Sequence, residues 1–235
     1  MNPLSKPRLI FLLLAILATF LAHAQAGPGY IILNKGDTLR GEIQLKQGYP
    51  GAPRIVGFAG TESAAPANFS VDECKGFCIG NNVYQRATVT MDMSHLANID
   101  LIILNEDILQ TQTVFLRQLF KGKYFTLLHY YDGDEEGFFQ HSNIKRHFFI
   151  NNGDSTMELV MKYQYASRKD RGLNVERGSW AIRQVRPIFR DQLKLYYDWM
   201  NDRRLRKKID ASLYREDHLI KIIKEIDSKY RPPVN

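Results

Sequence analysis

The strongest strand signal in this sequence is the stretch TVFLRQLFKGKYFTLLHYY, at residues 113–131. β-Branched and aromatic residues dominate both halves, and Lys121-Gly122-Lys123 separates the halves as a turn. Each half is apolar at both alternating positions, which is typical of strands covered on two faces. The stretch therefore predicts two neighbouring strands in the centre of a sheet.

Further hairpins are predicted on both sides of this stretch. The predicted strand pairs are 30–33 with 39–45, 76–80 with 83–90, and 144–150 with 156–162. The first and third pairs are separated by Asn-Lys-Gly-Asp and Asn-Asn-Gly-Asp, in which glycine can adopt a positive φ. Gly41, inside a strand pattern, indicates a bulge or a close approach of another backbone.

The C-terminal part changes from a strand pattern to a helical one. Pro187 suits the first position of a helix, and Asn201 or Asp202 is expected to cap a second, short helix. Apolar residues recur at helical spacing in the first helix, at Phe189, Leu193, Tyr196 and Met200. The third helix has one apolar face, formed by Leu219, Ile222, Ile223 and Ile226.

Strands come first and helices last, without βαβ alternation, so we expect an α+β protein. The expected fold is a mostly antiparallel, β-rich body of hairpins, followed by a C-terminal helical segment of two or three helices. The expected organisation is a signal peptide at 1–24, a β-rich domain at 25–162, a basic connector at 163–186, and a helical segment at 187–235 that packs on the β-rich domain.

The N-terminus has the pattern of a cleavable secretory signal peptide. Lys6 and Arg8 precede an uncharged, apolar run at 9–22, and the small residues that follow fit cleavage after Ala24 or Ala26. The run is shorter than the roughly 20 apolar residues that a membrane span requires, which opposes an uncleaved anchor. We therefore expect an exported protein, either periplasmic or at the cell surface or secreted, with no transmembrane segment after cleavage.

The charge of the chain is modestly basic. Its formal net charge is +7, and the loss of Lys6 and Arg8 with the signal peptide lowers that charge to +5. Such a balance favours an unidentified envelope protein or an anionic glycan or lipid surface as partner, and it does not indicate nucleic acid. The candidate binding surface lies on the basic connector, at Arg168, Lys169, Arg171, Arg177, Arg183 and Arg186. The alternative interpretation is a solvated basic loop.

Cys74 and Cys78 are the two cysteines of the chain. Export permits a disulfide, but in an extended strand their Cα atoms would lie about 13 Å apart, beyond the limit of about 7 Å for a disulfide. A turn at Lys75-Gly76 would bring them together. The sequence leaves both a disulfide and two part-buried thiols open, and two cysteines alone fall short of the roughly four ligands of a zinc site.

The order of the segments resembles a group of uncharacterised exported proteins of the Bacteroidota. The resemblance is carried by Gly29-Tyr30-Ile31, Gly36-Asp37-Thr38 and Gly41-Glu42-Ile43 near the N-terminus. It continues through Lys121-Gly122-Lys123 and the aromatic residues after it into the helical region at 187–230. The resemblance implies an envelope location and the same β-then-α layout, and it implies no activity.

A metal or acid–base site is the main catalytic candidate. His129, Asp132 and His141 group around one hairpin, but without HExxH or a comparable ligand spacing, and the alternative is a solvated turn with edge-strand histidines. The sequence also lacks the nucleophile elbow and the nucleotide-binding loops. It therefore names no catalytic residue and no cofactor.

The sequence thus favours a non-catalytic binding or assembly component of the bacterial cell envelope. The alternative is a periplasmic hydrolase with a site around the 129–147 hairpins. That alternative requires His129, Asp132 and His141 to converge in a concave pocket with shifted pKa values.

Overall fold

The computed structural model describes residues 26–47, 53, 55–60, 66–93, 109–132, 145–166, 181–196 and 202–230. These residues form twelve strands followed by three helices, and the chain divides into two compact units between Val83 and Tyr84. The described strand pairs are antiparallel. This arrangement confirms the expected α+β class with a β-rich body and C-terminal helices.

The first unit is an antiparallel sheet with the strand order β5-β1-β2-β3-β4. Its strands are β1 (Ala26–Leu33), β2 (Thr38–Gln47), β3 (Ile55–Gly60), β4 (Ala67–Ser70) and β5 (Cys74–Ile79). Gly36 closes the β1–β2 turn at a φ of 101°, as the hairpin pattern predicts. A Cβ atom on Gly41 would overlap the carbonyl oxygen of Ala59 on β3, which confirms the predicted close backbone approach.

The second unit contains a sheet with the strand order β6-β7-β8-β9-β10. Its strands are β6 (Asn82–Asp92, of which the unit contains all but the first two residues), β7 (Leu109–Lys121), β8 (Thr126–Asp132), β9 (Lys145–Asn151) and β10 (Thr156–Leu159). The stretch that we quoted first supplies β7 and β8, with Arg117 opposite His129. Four consecutive residues of β8, 127–130, are buried, so both faces of this central strand are covered as predicted.

The two ends of the predicted basic connector pair with each other. Strand β11 (Lys162–Ala166) and strand β12 (Ala181–Arg186) form a two-stranded antiparallel sheet. Residues 167–180, between them, lie outside the described part of the chain.

Three helices end the described chain: α1 (Ile188–Leu195), α2 (Arg203–Asp210) and α3 (Glu216–Lys229). Pro187 precedes α1 as its cap residue. The sequence pattern predicted Pro187 as the first residue inside the helix, so α1 begins one residue later than predicted. Of the two predicted caps of α2, the structure selects Asp202, whose Oδ1 accepts backbone N–H groups from Arg204 at 2.9 Å and Leu205 at 3.1 Å. Met200 is outside the described residues.

The helices pack on one face of the second sheet. The sheet and its β7–β8 turn contribute Phe125, Leu127, Phe148, Ile150 and Leu159 to this core, and the helices contribute Phe189, Leu193, Leu205, Ile209, Leu219, Ile222, Ile223 and Ile226. Of the predicted apolar stripes, the residues buried in this core are Phe189, Leu193, Leu219, Ile222, Ile223 and Ile226, and Tyr196 packs against the core partly buried. Among the described residues, no helix is both long and apolar enough to cross a membrane.

Candidate functional site

His129, the central residue of the predicted acid–base cluster, is a fully buried residue of β8. Its ring stacks on Phe148 at 4.8 Å and meets the edge of Tyr131 at 4.2 Å. Neither ring nitrogen has a hydrogen-bond partner in the described structure. Burial, reinforced by the positive charges of Arg117 and Arg146, lowers the pKa of His129 to about 3. The imidazole is thus a neutral core group at neutral pH.

The other two members of that cluster cannot be placed against His129. The side chain of Asp132 and the whole of His141 lie outside the described residues, so their convergence with His129 stays a prediction. Within the described ranges, no group of three or more His, Cys, Asp or Glu residues could hold a metal ion.

A buried acid–base pair that the sequence analysis missed lies on the opposite face of the sheet. His147 precedes Phe148 on β9, and consecutive strand residues point to opposite faces. The Nδ1 atom of His147 lies 2.6 Å from Oε1 of Glu158 on β10, and both side chains are buried. Oε2 of Glu158 accepts the backbone N–H of Asp92 at 2.8 Å. Since both carboxylate oxygens are engaged, the arrangement fits a structural link between β6, β9 and β10.

Both cysteines are buried, and neither is part of a disulfide. Cys74 is the first residue of the extended strand β5, and Cys78 is its last but one. The Sγ atom of Cys74 lies 3.4 Å from the carbonyl oxygen of Ser70, and the Sγ atom of Cys78 lies 3.3 Å from that of Gly80. Of the two alternatives that the sequence left open, the structure therefore has the thiol form. The local reason is the strand itself, which holds the two Cα atoms apart.

The burial of Cys74 and Cys78 predicts slow reaction with thiol reagents. In native buffer, labelling by a maleimide should be about 100-fold slower than in denaturant, because access requires opening of the structure. Mass spectrometry should then find two labels per denatured chain. A denatured, unreduced chain that takes up no label would contradict this account and would indicate a disulfide.

The predicted basic surface of the connector is largely outside the described structure. Arg168, Lys169, Arg171 and Arg177 are not described, and Arg183 is described in its backbone alone. Arg186 is exposed at the end of β12. The connector surface therefore stays a prediction.

A second basic surface, on α2, is described in full. Leu205 and Ile209 are buried against the core, which directs Lys207 to the opposite side of the helix, with Arg203 and Arg204 beside it. Arg206 lies on the flank of the same helix, and all four cations are exposed. We call Arg203, Arg204, Arg206 and Lys207 the α2 basic face.

Nearby carboxylates are engaged by other lysines. Lys208 binds Glu225 at 2.6 Å, Lys194 binds Asp210 at 2.9 Å, and Lys229 binds Asp202 at 2.6 Å. The hydrogen bond from Lys229 and the bonds from the α2 backbone lower the pKa of Asp202 to about 2. Within the described residues, the four side chains of the α2 basic face form neither an ion pair nor a hydrogen bond. Their charge is therefore left to solvent or to a partner.

The α2 basic face is unfavourable for the helix that carries it. Arg203 and Arg204 lie in a first turn that holds no acidic residue, where the positive end of the helix dipole opposes cations. Arg203 and Lys207 are also like charges at the spacing i, i+4, which weakens a helix slightly. Residues that break local rules without a structural gain are typical of functional surfaces.

The run RRLRKK at 203–208 was the available signal for this surface. From the sequence, only the cap of this helix was predicted, and the candidate basic surface was placed on the connector instead. Which of the cations would remain unpaired could not be decided from the sequence, because the pairs are formed between helices. Glu225 of α3 binds Lys208, whereas Asp202 and Asp210 of α2 bind lysines of α3 and α1.

Comparison of this chain with protein-family models, with curated proteins and with solved structures finds no match. The fold and the surface therefore define the class on their own. The chain is an α+β protein with a helical layer on a β-sheet and an exposed, unneutralised basic helix face.

Proposed function

We propose that this chain is an exported, non-catalytic binding or assembly component of the bacterial cell envelope, and that the α2 basic face contacts its anionic partner. The signal-peptide pattern at 1–24 and the resemblance to exported proteins of the Bacteroidota support the location. The observation that carries the proposed binding role is the α2 basic face, with four exposed cations that no described carboxylate neutralises.

The hydrolase alternative gains no support from His129. A general base must reach the proton that it abstracts, and its pKa should lie near the working pH. His129 is fully buried, and its pKa of about 3 leaves it a weak base. The buried pair of His147 and Glu158 likewise offers no exposed group, which favours binding over catalysis.

Affinity for an anionic polymer tests the proposed role. The purified protein should bind immobilised dextran sulfate and leave uncharged dextran unbound, and the binding should weaken strongly as salt screens the charges. The variant Arg203→Gln, Arg206→Gln, Lys207→Gln should bind about tenfold more weakly, since three exposed charge contacts of a few tenths of a kcal/mol each sum to about that factor.

A variant with the same loss of charge elsewhere provides the control. Lys35, Lys75 and Lys121 are exposed and lie on strands or turns, so their replacement by glutamine should leave most of the affinity. Equal binding to the charged and the uncharged polymer would argue against the proposed function. An equal loss in both triple variants would assign the binding to net charge and not to α2.

A further inference from the structure

We infer that the anionic partner of the α2 basic face is a phosphate-bearing lipid surface, an inference that rests on the proposed function. The additional observation is a pair of exposed leucines beside α2. Among the described residues, the large apolar side chains that are exposed are Leu109, Leu195 and Leu213. Leu195 is 71% exposed and Leu213 is 47% exposed.

Both of these leucines are close in the chain to groups at the C-terminal end of α2. Leu195 directly follows Lys194, whose Nζ lies 2.9 Å from Asp210 in that turn. Leu213 lies in the loop after α2, three residues beyond Asp210. The helical layer thus presents cations on α2, an exposed leucine at the end of α1 and a second one in the loop after α2.

This combination distinguishes a bilayer from an anionic glycan. Sulfated or carboxylated glycans attract the arginines but offer nothing apolar to an exposed leucine. At a bilayer, lipid phosphates attract cations near the surface, and apolar side chains insert at the boundary between headgroups and acyl chains. An eight-residue helix about 12 Å long, whose own apolar side is buried in the core, can lie against such a surface without unfolding.

Vesicle co-sedimentation tests the inference. The protein should bind vesicles of phosphatidylcholine with about 30% phosphatidylglycerol, and it should bind pure phosphatidylcholine vesicles at least tenfold more weakly. Arg203→Gln, Arg206→Gln, Lys207→Gln should lower the affinity for the anionic vesicles by about 100-fold, since each cation near an anionic surface contributes about a fivefold factor. Lys35→Gln, Lys75→Gln, Lys121→Gln should keep most of the affinity.

Substitution of the two leucines tests the lipid inference without changing the charge of the protein. Leu195→Ser with Leu213→Ser should lower the affinity for the anionic vesicles about tenfold while leaving the binding to dextran sulfate unchanged. Leu109→Ser, which removes a leucine that is 62% exposed at the beginning of β7, is the matched control and should have no effect on either surface.

The outcomes separate this inference from the proposed function. Binding to dextran sulfate without binding to anionic vesicles would overturn the lipid inference and leave the proposed function standing. Binding to neither surface would overturn both. Equal affinities of the leucine double variant and of Leu109→Ser for anionic vesicles would also overturn the inference.

Discussion

Replacing Asp227 by alanine should lower the free energy of unfolding by about 3 kcal/mol. The Asp227 carboxylate, near the end of α3, accepts three successive backbone N–H groups of the β7–β8 turn. They come from Lys123 at 2.9 Å, Tyr124 at 2.7 Å and Phe125 at 2.8 Å. Hydrogen bonds to a charged acceptor are stronger than neutral ones, so their loss should weaken both the turn and the docking of α3. Urea denaturation measures the change.

Gly122 makes this contact sterically possible. A Cβ atom at Gly122 would overlap the carboxyl group of Asp227, and the three atoms nearest to it all belong to that side chain. Gly122→Ala should therefore destabilise the protein by about 2 kcal/mol in the wild type. In an Asp227→Ala background, Gly122→Ala should change the free energy of unfolding by less than about 0.5 kcal/mol, because the carboxyl group that a Cβ atom would overlap is then absent.

The exposed Asp217 in the first turn of the same helix provides the control. Asp217→Ala should cost no more than about 1 kcal/mol, the upper value for an exposed charge near a helix N-terminus. Additive effects of Gly122→Ala and Asp227→Ala would contradict the contact between the turn and α3.

The second large effect is expected at His129 and depends on pH. The pKa of the buried ring is about 3 in the folded protein and about 6.5 in an unfolded chain. Between these values the unfolded state binds more protons, so stability falls as the pH falls, by up to about 1.4 kcal/mol per pH unit. His129→Phe keeps the stack on Phe148 and removes the titrating ring. Between pH 7 and pH 4, the free energy of unfolding of the variant should therefore fall by about 3 kcal/mol less than that of the wild type.

Urea denaturation of both proteins at a series of pH values measures this difference. His218→Gln, which removes a half-exposed histidine of α3, is the control and should keep the acid sensitivity of the wild type. Parallel pH profiles for wild type and His129→Phe would contradict a buried, neutral His129.

The fold could be predicted where the signal was local. Gly36 and Gly153 have the positive φ that their hairpin turns require, and the apolar spacing of Leu219, Ile222, Ile223 and Ile226 is the buried stripe of α3. Asp202 caps α2 because a carboxylate at that position reaches the free N–H groups of the first turn.

The missed features depend on contacts between distant residues. Asp227 binds a backbone N–H 104 positions earlier in the chain, and neither residue type indicates the other. His147 and Glu158 come together because β9 and β10 are neighbours, whereas the sequence pattern indicated only histidines at the edge of a solvated turn. For His129 a signal existed, since the apolar residues on both sides of it predicted a strand buried on two faces.

The most direct test of the central claim combines two measurements on one variant. Arg203→Gln, Arg206→Gln, Lys207→Gln should bind anionic vesicles about 100-fold more weakly than the wild type and should have an equal or slightly higher free energy of unfolding, because it relieves like-charge and helix-dipole repulsion. Unchanged vesicle affinity, or a loss of affinity that accompanies a loss of folding stability, would contradict the assignment of the α2 basic face to binding.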